Sequence, residues 1–105
     1  MKPVTFVGNS LTRIKAFPME ARQNAGFQIE RVQRGEDPDD WKPIKTIGSG
    51  VREIRISDIS GQYRVVFVVN LKDAVYVLHA FKKKTRKTRK SGIDLARKRL
   101  TEIGG

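Results

Sequence analysis

The sequence contains no cysteine. That absence excludes a disulfide framework, a thiolate zinc site and a cysteine nucleophile together. It has one histidine, His79, so a histidine-rich metal centre is excluded as well, and neither a metal nor another cofactor is expected. Acidic residues are scarce: 11 Asp and Glu stand against 22 Lys and Arg, for a formal net charge of +11 at pH 7. No apolar run approaches the roughly 20 residues of a membrane span, and Met1–Gly8 lacks the apolar stretch of a signal peptide. The expectation is a soluble, cytoplasmic protein with no membrane partner.

What is present suits one domain, residues 1–105. A hydrophobic share of 38% is too high for a disordered basic tail and adequate for a single core. The excess of positive charge calls for a polyanionic partner, nucleic acid first among them. It is also lopsided. Residues 1–50 hold 8 basic and 6 acidic groups, residues 51–105 hold 14 and 5, so the polyanion-binding surface belongs to the second half.

Periodicity predicts an α+β fold in the order β-α-α-β-β-β-α, with room for one more short strand. Lys2–Val7 reads as a strand. Ser10 is placed as N-cap of a short helix carrying Leu11, Ile14 and Phe17. Pro18 opens a second helix to about Arg34, with Ala21, Ala25, Ile29 and Val32 as its apolar stripe and Gly35 as its stop. The two helices are expected to form a hairpin on one face of a twisted, mainly antiparallel sheet. Trp41–Ile44 reads as a solvated turn anchored by Trp41, or else a short strand.

Val51–Ser57, Tyr63–Asn70 and Val75–Phe81 follow with connections too short for helical crossovers, hence an antiparallel meander with a turn at Leu71–Asp73. In the first of these, Ile54 and Ile56 share one face, Glu53 and Arg55 the other. Ser91, with Asp94 three residues on, resembles a capping box for a C-terminal helix over Gly92–Ile103 at the sheet edge. Ile93, Ala96, Leu100 and Ile103 form its stripe, leaving Arg97, Lys98 and Arg99 largely outside.

Lys82–Lys90 holds seven basic residues in nine. Such a run is either a solvated tail or a phosphate-binding segment; its position between a buried strand and an amphipathic helix fixes both ends and favours the second. His79 shares a strand face, by period two, with Val75, Val77 and Phe81. A histidine there is a packed core residue, or an acid–base group beside the phosphates that the lysines gather. Arg64 interrupts an apolar strand. It either pairs with an acid such as Glu53 or faces a cleft and binds phosphate, and the cleft is favoured. Glu53 and Arg55 are cleft residues by the same account, or members of a surface ion-pair ladder.

Four segments taken in order resemble the RelE/HigB toxin superfamily, in its phage-derived, HigB-like branch: Gly50-Val51-Arg52-Glu53-Ile54-Arg55, Tyr63-Arg64-Val65-Val66-Phe67, Val77-Leu78-His79-Ala80-Phe81-Lys82-Lys83-Lys84-Thr85 and Ile93-Asp94-Leu95-Ala96-Arg97. The helical hairpin and Trp41-Lys42-Pro43 fit the same branch. The resemblance implies a microbial ribonuclease-like sheet and a toxin of a toxin–antitoxin pair that cuts messenger RNA on the ribosome without metal. Its partners would be the ribosome, mRNA and a cognate antitoxin, a helix-turn-helix protein.

By the same resemblance, Arg64 contacts the scissile phosphate, Glu53 and Arg55 stand at the active site, and Lys82 and Lys83 match a basic pair after the last strand, with His79 beside them. Arg55 stands where some relatives carry a lysine. An arginine is a poor general base, which leaves Glu53, His79 or a lysine such as Lys83 for that role. Lys82, Lys84, Arg86, Lys87, Arg89 and Lys90 are the expected RNA-binding residues. The alternative is a non-catalytic RNA- or DNA-binding module on the same basic surface.

Overall fold

The computed structural model describes residues 1–69, 74–84, 86 and 89–104. Its elements run β1 (Val4–Phe6), α1 (Ser10–Lys15), α2 (Met19–Gln33), β2 (Trp41–Pro43), β3 (Arg52–Asp58), β4 (Gly61–Val69), β5 (Val75–Lys83) and α3 (Lys90–Glu102). The strands form one five-stranded sheet in the order β1-β5-β4-β3-β2. β2 to β5 pair antiparallel, and β1 lies parallel against β5. This is the expected α+β fold. The expected turn at Leu71–Asp73 and the strand end at Asn70 fall outside the described residues. No described helix is long and apolar enough to cross a membrane.

Alternation along the strands creates two cores. One face of the sheet gives Ile54, Ile56, Tyr63, Val65, Phe67, Val75 and Val77 to α1 and α2, which contribute Ile14, Phe17, Ala21, Ala25, Ile29 and Val32. These helical positions are the ones the apolar spacing picked out, and their burial holds the hairpin down. The opposite face packs Val51, Val66, Val68 and Leu78 against Ala96 of α3. The C-terminal helix therefore covers the second face rather than sitting at the sheet edge. Both faces of β4 need a cover, and its run of six buried residues, Tyr63 to Val68, supplies the apolar surface for it.

Several local expectations are corrected. Trp41–Pro43 is a strand, registered with Trp41 opposite Ile54, and not a solvated turn. Trp41 gains a partner there, because the Arg52 guanidinium lies 4.2 Å from its ring centroid. Asn9, not Ser10, precedes α1 as N-cap; the Ser10 hydroxyl instead donates to the Val77 carbonyl on the buried β5 edge. Pro18 is the N-cap of α2, with extended ψ, so Met19 opens the helix. β5 runs on to Lys83, placing Lys82 and Lys83 in a strand. α3 begins at Lys90 with Arg89 as N-cap and no side-chain cap. Asp94 pairs instead with Lys90 and Arg97, each at 3.6 Å.

Arg99 departs most from expectation. It is buried, and its guanidinium donates from Nη1 to the Leu78 carbonyl (2.8 Å) and from Nη2 to Asn9 Oδ1 (2.7 Å). Gly8, at φ +58°, makes room for it: a Cβ there would stand 2.6 Å from the guanidinium. β1 ends at Phe6, opposite Val77, so beyond it the edge of β5 has no strand neighbour among the described residues. Ser10, Arg99 and Arg13 close that edge by donating to the carbonyls of Val77, Leu78 and Ala80.

Candidate active site

The α3 face of the sheet carries charge as well as core. Val66 and Val68 of β4 pack under α3, and two residues before Val66 the same face presents Arg64, whose register partner on β3 is Arg55. Glu53, two residues before Arg55, shares this face. It is fully buried, and Arg64 is only 5% exposed. Arg64 Nε stands 3.5 Å from Glu53 Oε1, so the pairing that the sequence allowed, rather than an open arginine, is what forms. Lys42 is the register partner of Glu53 on β2, and its Nζ lies 3.9 Å from the same carboxylate oxygen. Arg55 is exposed, with Nε 3.7 Å from Asp40 Oδ1.

The pair is close in charge but loose in hydrogen bonding. Arg64 donates from Nη1 to the Tyr63 carbonyl at 2.9 Å, while its buried Nε has no hydrogen-bond partner among the described residues. Burial pushes the Arg64 pKa down from the ordinary arginine value; Glu53 opposes that shift, Arg55 adds to it and Asp40 opposes it. Lys83 belongs to the same field. Its pKa is lowered, first by desolvation, then by the charges of Arg64 and Lys42, with Glu53 opposing and Arg55 adding a little. Four cations, Lys42, Arg55, Arg64 and Lys83, thus gather around the Glu53 carboxylate. The field is suited to holding a phosphate, and forked guanidinium donors match its oxygens.

His79 is elsewhere. A bulge between the Val66 and Phe67 pairings lets β5 slip by one residue, so His79 stands opposite Val66 while Val77 stands opposite Phe67. The slip breaks the period-two rule. His79 does not share the face of Val75 and Val77, as alternation would have it, but that of Val66. Phe81 is the register partner of Arg64, and its ring stacks on His79 at a centroid distance of 5.0 Å. It therefore stands between His79 and the arginine.

His79 lines a cleft of about 350 Å³ between α1, the end of β5 and the start of α3, with Asn9, Arg13, Phe81, Ser91 and Leu95, and Lys83 lines it too. Burial, then the charges of Arg99 and Arg13, push its pKa down to about 4, so the imidazole is neutral at pH 7. It is 7% exposed, and its Nδ1 has no hydrogen-bond partner among the described residues.

Side chains of the basic run diverge, although Lys82, Lys83, Lys84 and Arg89 all line the His79 cleft. Strand alternation sends neighbouring lysines to opposite faces: Lys82 Nζ lies 6.0 Å from the Tyr63 ring centroid, on the hairpin side, and Lys83 joins Arg64. Lys84, Arg86, Arg89 and Lys90 are exposed between β5 and the first turn of α3; Lys87 lies outside the described residues. The structure thus brings Glu53, Arg55, Arg64 and Lys83 together, and His79 meets this group only through Lys83, which also lines its cleft. Lys42, Arg13 and Arg99 are additions that sequence reasoning missed. Arg99 follows Ala96 by three, at the margin of the α3 stripe, which was a usable signal; for Lys42 only its pairing with β3 reveals the role.

Residues 12–101 match the family described as phage derived protein Gp49-like (DUF891), which is most of the chain. No curated protein matches the chain.

Proposed function

Because the chain belongs to the Gp49-like family of phage-derived proteins (DUF891), we propose that it is the toxin of a toxin–antitoxin pair and cuts messenger RNA on the ribosome without a metal. The observation that carries this reading is Arg64: a guanidinium more than nine-tenths buried, its Nε without a hydrogen-bond partner, held at 3.5 Å from Glu53 and surrounded by Lys42, Arg55 and Lys83. The resemblance to RelE/HigB toxins supports the same residues.

The chemistry follows from their types. Once the messenger seats on this face and uncovers the buried carboxylate, Glu53 accepts the proton of a ribose 2′-hydroxyl, and the freed oxygen attacks the adjacent phosphorus. Negative charge grows on the non-bridging oxygens of the phosphorane, where Arg64 and Arg55 donate hydrogen bonds that strengthen as it grows. Lys83 protonates the departing 5′-oxygen; its lowered pKa makes it a better acid near neutrality than a free lysine. The products are a 2′,3′-cyclic phosphate and a 5′-hydroxyl. The ribosome supplies the positioning that a chain of 105 residues lacks. His79, neutral and separated by Phe81, stands outside this proton transfer. Lys84, Arg86, Lys87, Arg89 and Lys90 hold RNA phosphates by charge, with Lys82 on the far side of the strand as a weaker contributor. An acidic antitoxin covers this surface.

The test is a translating extract with a defined messenger. Arg64→Ala is expected to lower cleavage by about 10²–10³. Arg55→Ala, at an exposed position that the fold does not need, is expected to lower it too. A parent chain that binds ribosomes or RNA with a steep salt dependence yet leaves the messenger intact would replace this reading by the non-catalytic binding module.

A further inference from the structure

The cleft beside His79 adjoins the cationic face through Lys83, which lines it, but His79 itself takes no part in the chemistry above. Its volume of about 350 Å³ is within the range of sites that enclose a small ligand. At its inner wall His79 is 93% buried with Nδ1 unpartnered among the described residues. Neither of its cationic neighbours, Arg13 and Arg99, hydrogen-bonds it. Moreover, Arg13 and Arg99 are already engaged by the carbonyls of Ala80 and Leu78. Phe81 supplies a flat apolar wall stacked on the imidazole.

The other end of the cleft is the first turn of α3. That helix has 13 residues and no acidic residue in its first turn, and among the described residues no side chain caps it, so none of them offsets the positive end of its dipole. Ser91 and Gly92 from this turn line the cleft, with Arg89 at the rim. A helix start of this kind holds an anion. An anion-binding end, a flat wall and a buried neutral hydrogen-bonding group correspond to the phosphate and the base of one nucleotide.

We propose that the cleft is a single-nucleotide subsite: the phosphate docks on Ser91 and Gly92 beside Arg89, and the base lies along Phe81 and hydrogen-bonds His79 Nδ1. The proposal rests on the RNA-cleaving reading for its ligand class and assigns the cleft to a nucleotide flanking the bond that Arg64 and Glu53 break. Because burial first, then the charges of Arg99 and Arg13, keep the imidazole neutral, His79 reads the edge of a base and does not serve as a second phosphate ligand.

The experiment is a nuclear magnetic resonance titration of the full chain with the four nucleoside 3′-monophosphates and, separately, with inorganic phosphate. Nucleotides are expected to shift the His79 ring and the Ser91 and Gly92 amides together, and phosphate the two amides alone. His79→Phe, which keeps a flat ring, is expected to weaken nucleotide binding about tenfold, one lost hydrogen bond, and to leave phosphate binding unchanged. Ser91→Asp is expected to weaken both, and an acid in a first helical turn does not harm the fold.

A His79 ring that no nucleotide moves would overturn the proposal. So would nucleotide and phosphate that perturb the same residues alike, or a Ser91→Asp chain that binds as the parent does. Binding is read without cleavage, so the two readings fail separately. A chain that cuts messenger with an inert cleft loses the subsite alone, and one that shows these shifts but cuts nothing loses the ribonuclease alone.

Discussion

Arg64 and Glu53 face each other on the α3 side of the sheet, Nε to Oε1 at 3.5 Å, and both are more than nine-tenths buried. Their position makes them structural as well as chemical. Removing one partner of a buried pair leaves an uncompensated charge, so Arg64→Ala and Glu53→Ala should each cost about 3–5 kcal/mol in urea unfolding. The double variant should cost less than the two single costs added together, with a coupling of about 1–3 kcal/mol. Additive costs would show that the two do not interact in solution. Cleavage by Arg64→Ala must therefore be measured at a temperature where the variant is folded.

Lys83 should appear in the pH dependence of cleavage. As the acid for the leaving oxygen it must be protonated, so kcat/KM should fall as pH rises through its ionisation, at a pH below the ordinary lysine value of 10.5. Lys83→Arg should carry that descending limb beyond the measurable range, because a guanidinium keeps its proton. A limb unmoved by the substitution would assign the proton to another group.

His79 predicts a pH dependence of stability. Its folded-state pKa of about 4 lies below the ordinary 6.5, so between those values the unfolded chain binds the extra proton. The contribution is complete above about pH 6.5 and is lost as pH falls toward 4, by about 3 kcal/mol in total. His79→Gln should flatten the urea midpoint between pH 7 and pH 4.5. An equally steep profile in the variant would place the loss on other groups.

Arg99 should be needed for the fold although it lies on a charged helix. Arg99→Met leaves the Leu78 carbonyl and Asn9 Oδ1 without their donor, at a cost of about 2–3 kcal/mol. Arg99→Lys should recover only part of that, since an ammonium does not reproduce the fork. Gly8→Ala should be destabilising for the same contact, with a Cβ 2.6 Å from the guanidinium at a backbone φ of +58°. Unfolding midpoints equal to the parent's would remove Arg99 from the list of structural residues.

Much of this was legible. The stripes of α2 and α3, the antiparallel meander and the shared face of Glu53 and Arg55 follow from periodicity alone, because burial of one face is what periodicity records. Three features were not. The bulge that re-aims His79 is one extra residue in β5, which alternation cannot register. Trp41–Pro43 is too short for a pattern and becomes a strand by pairing with β3. Arg99 and Ser10 serve carbonyls on a strand far away in sequence, so their local context reads as solvent-facing or capping. The Arg64–Glu53 contact was legible as an option and unreadable as an outcome, since it depends on the register of β3 against β4.

The contacts that close the β5 edge join parts of the chain that are made far apart in time. Ser10 reaches Val77 across 67 positions, and Arg99 reaches Asn9 across 90. β1 has no strand to join until β5 has emerged from the ribosome, and the cationic face lacks Lys83 until then as well. Contacts so distant in sequence form late. A nascent chain thus carries its helical hairpin, Glu53 and three cations of the site, Lys42, Arg55 and Arg64, while Lys83 is still inside the ribosome. The order of synthesis itself withholds the assembled face until β5 has been made.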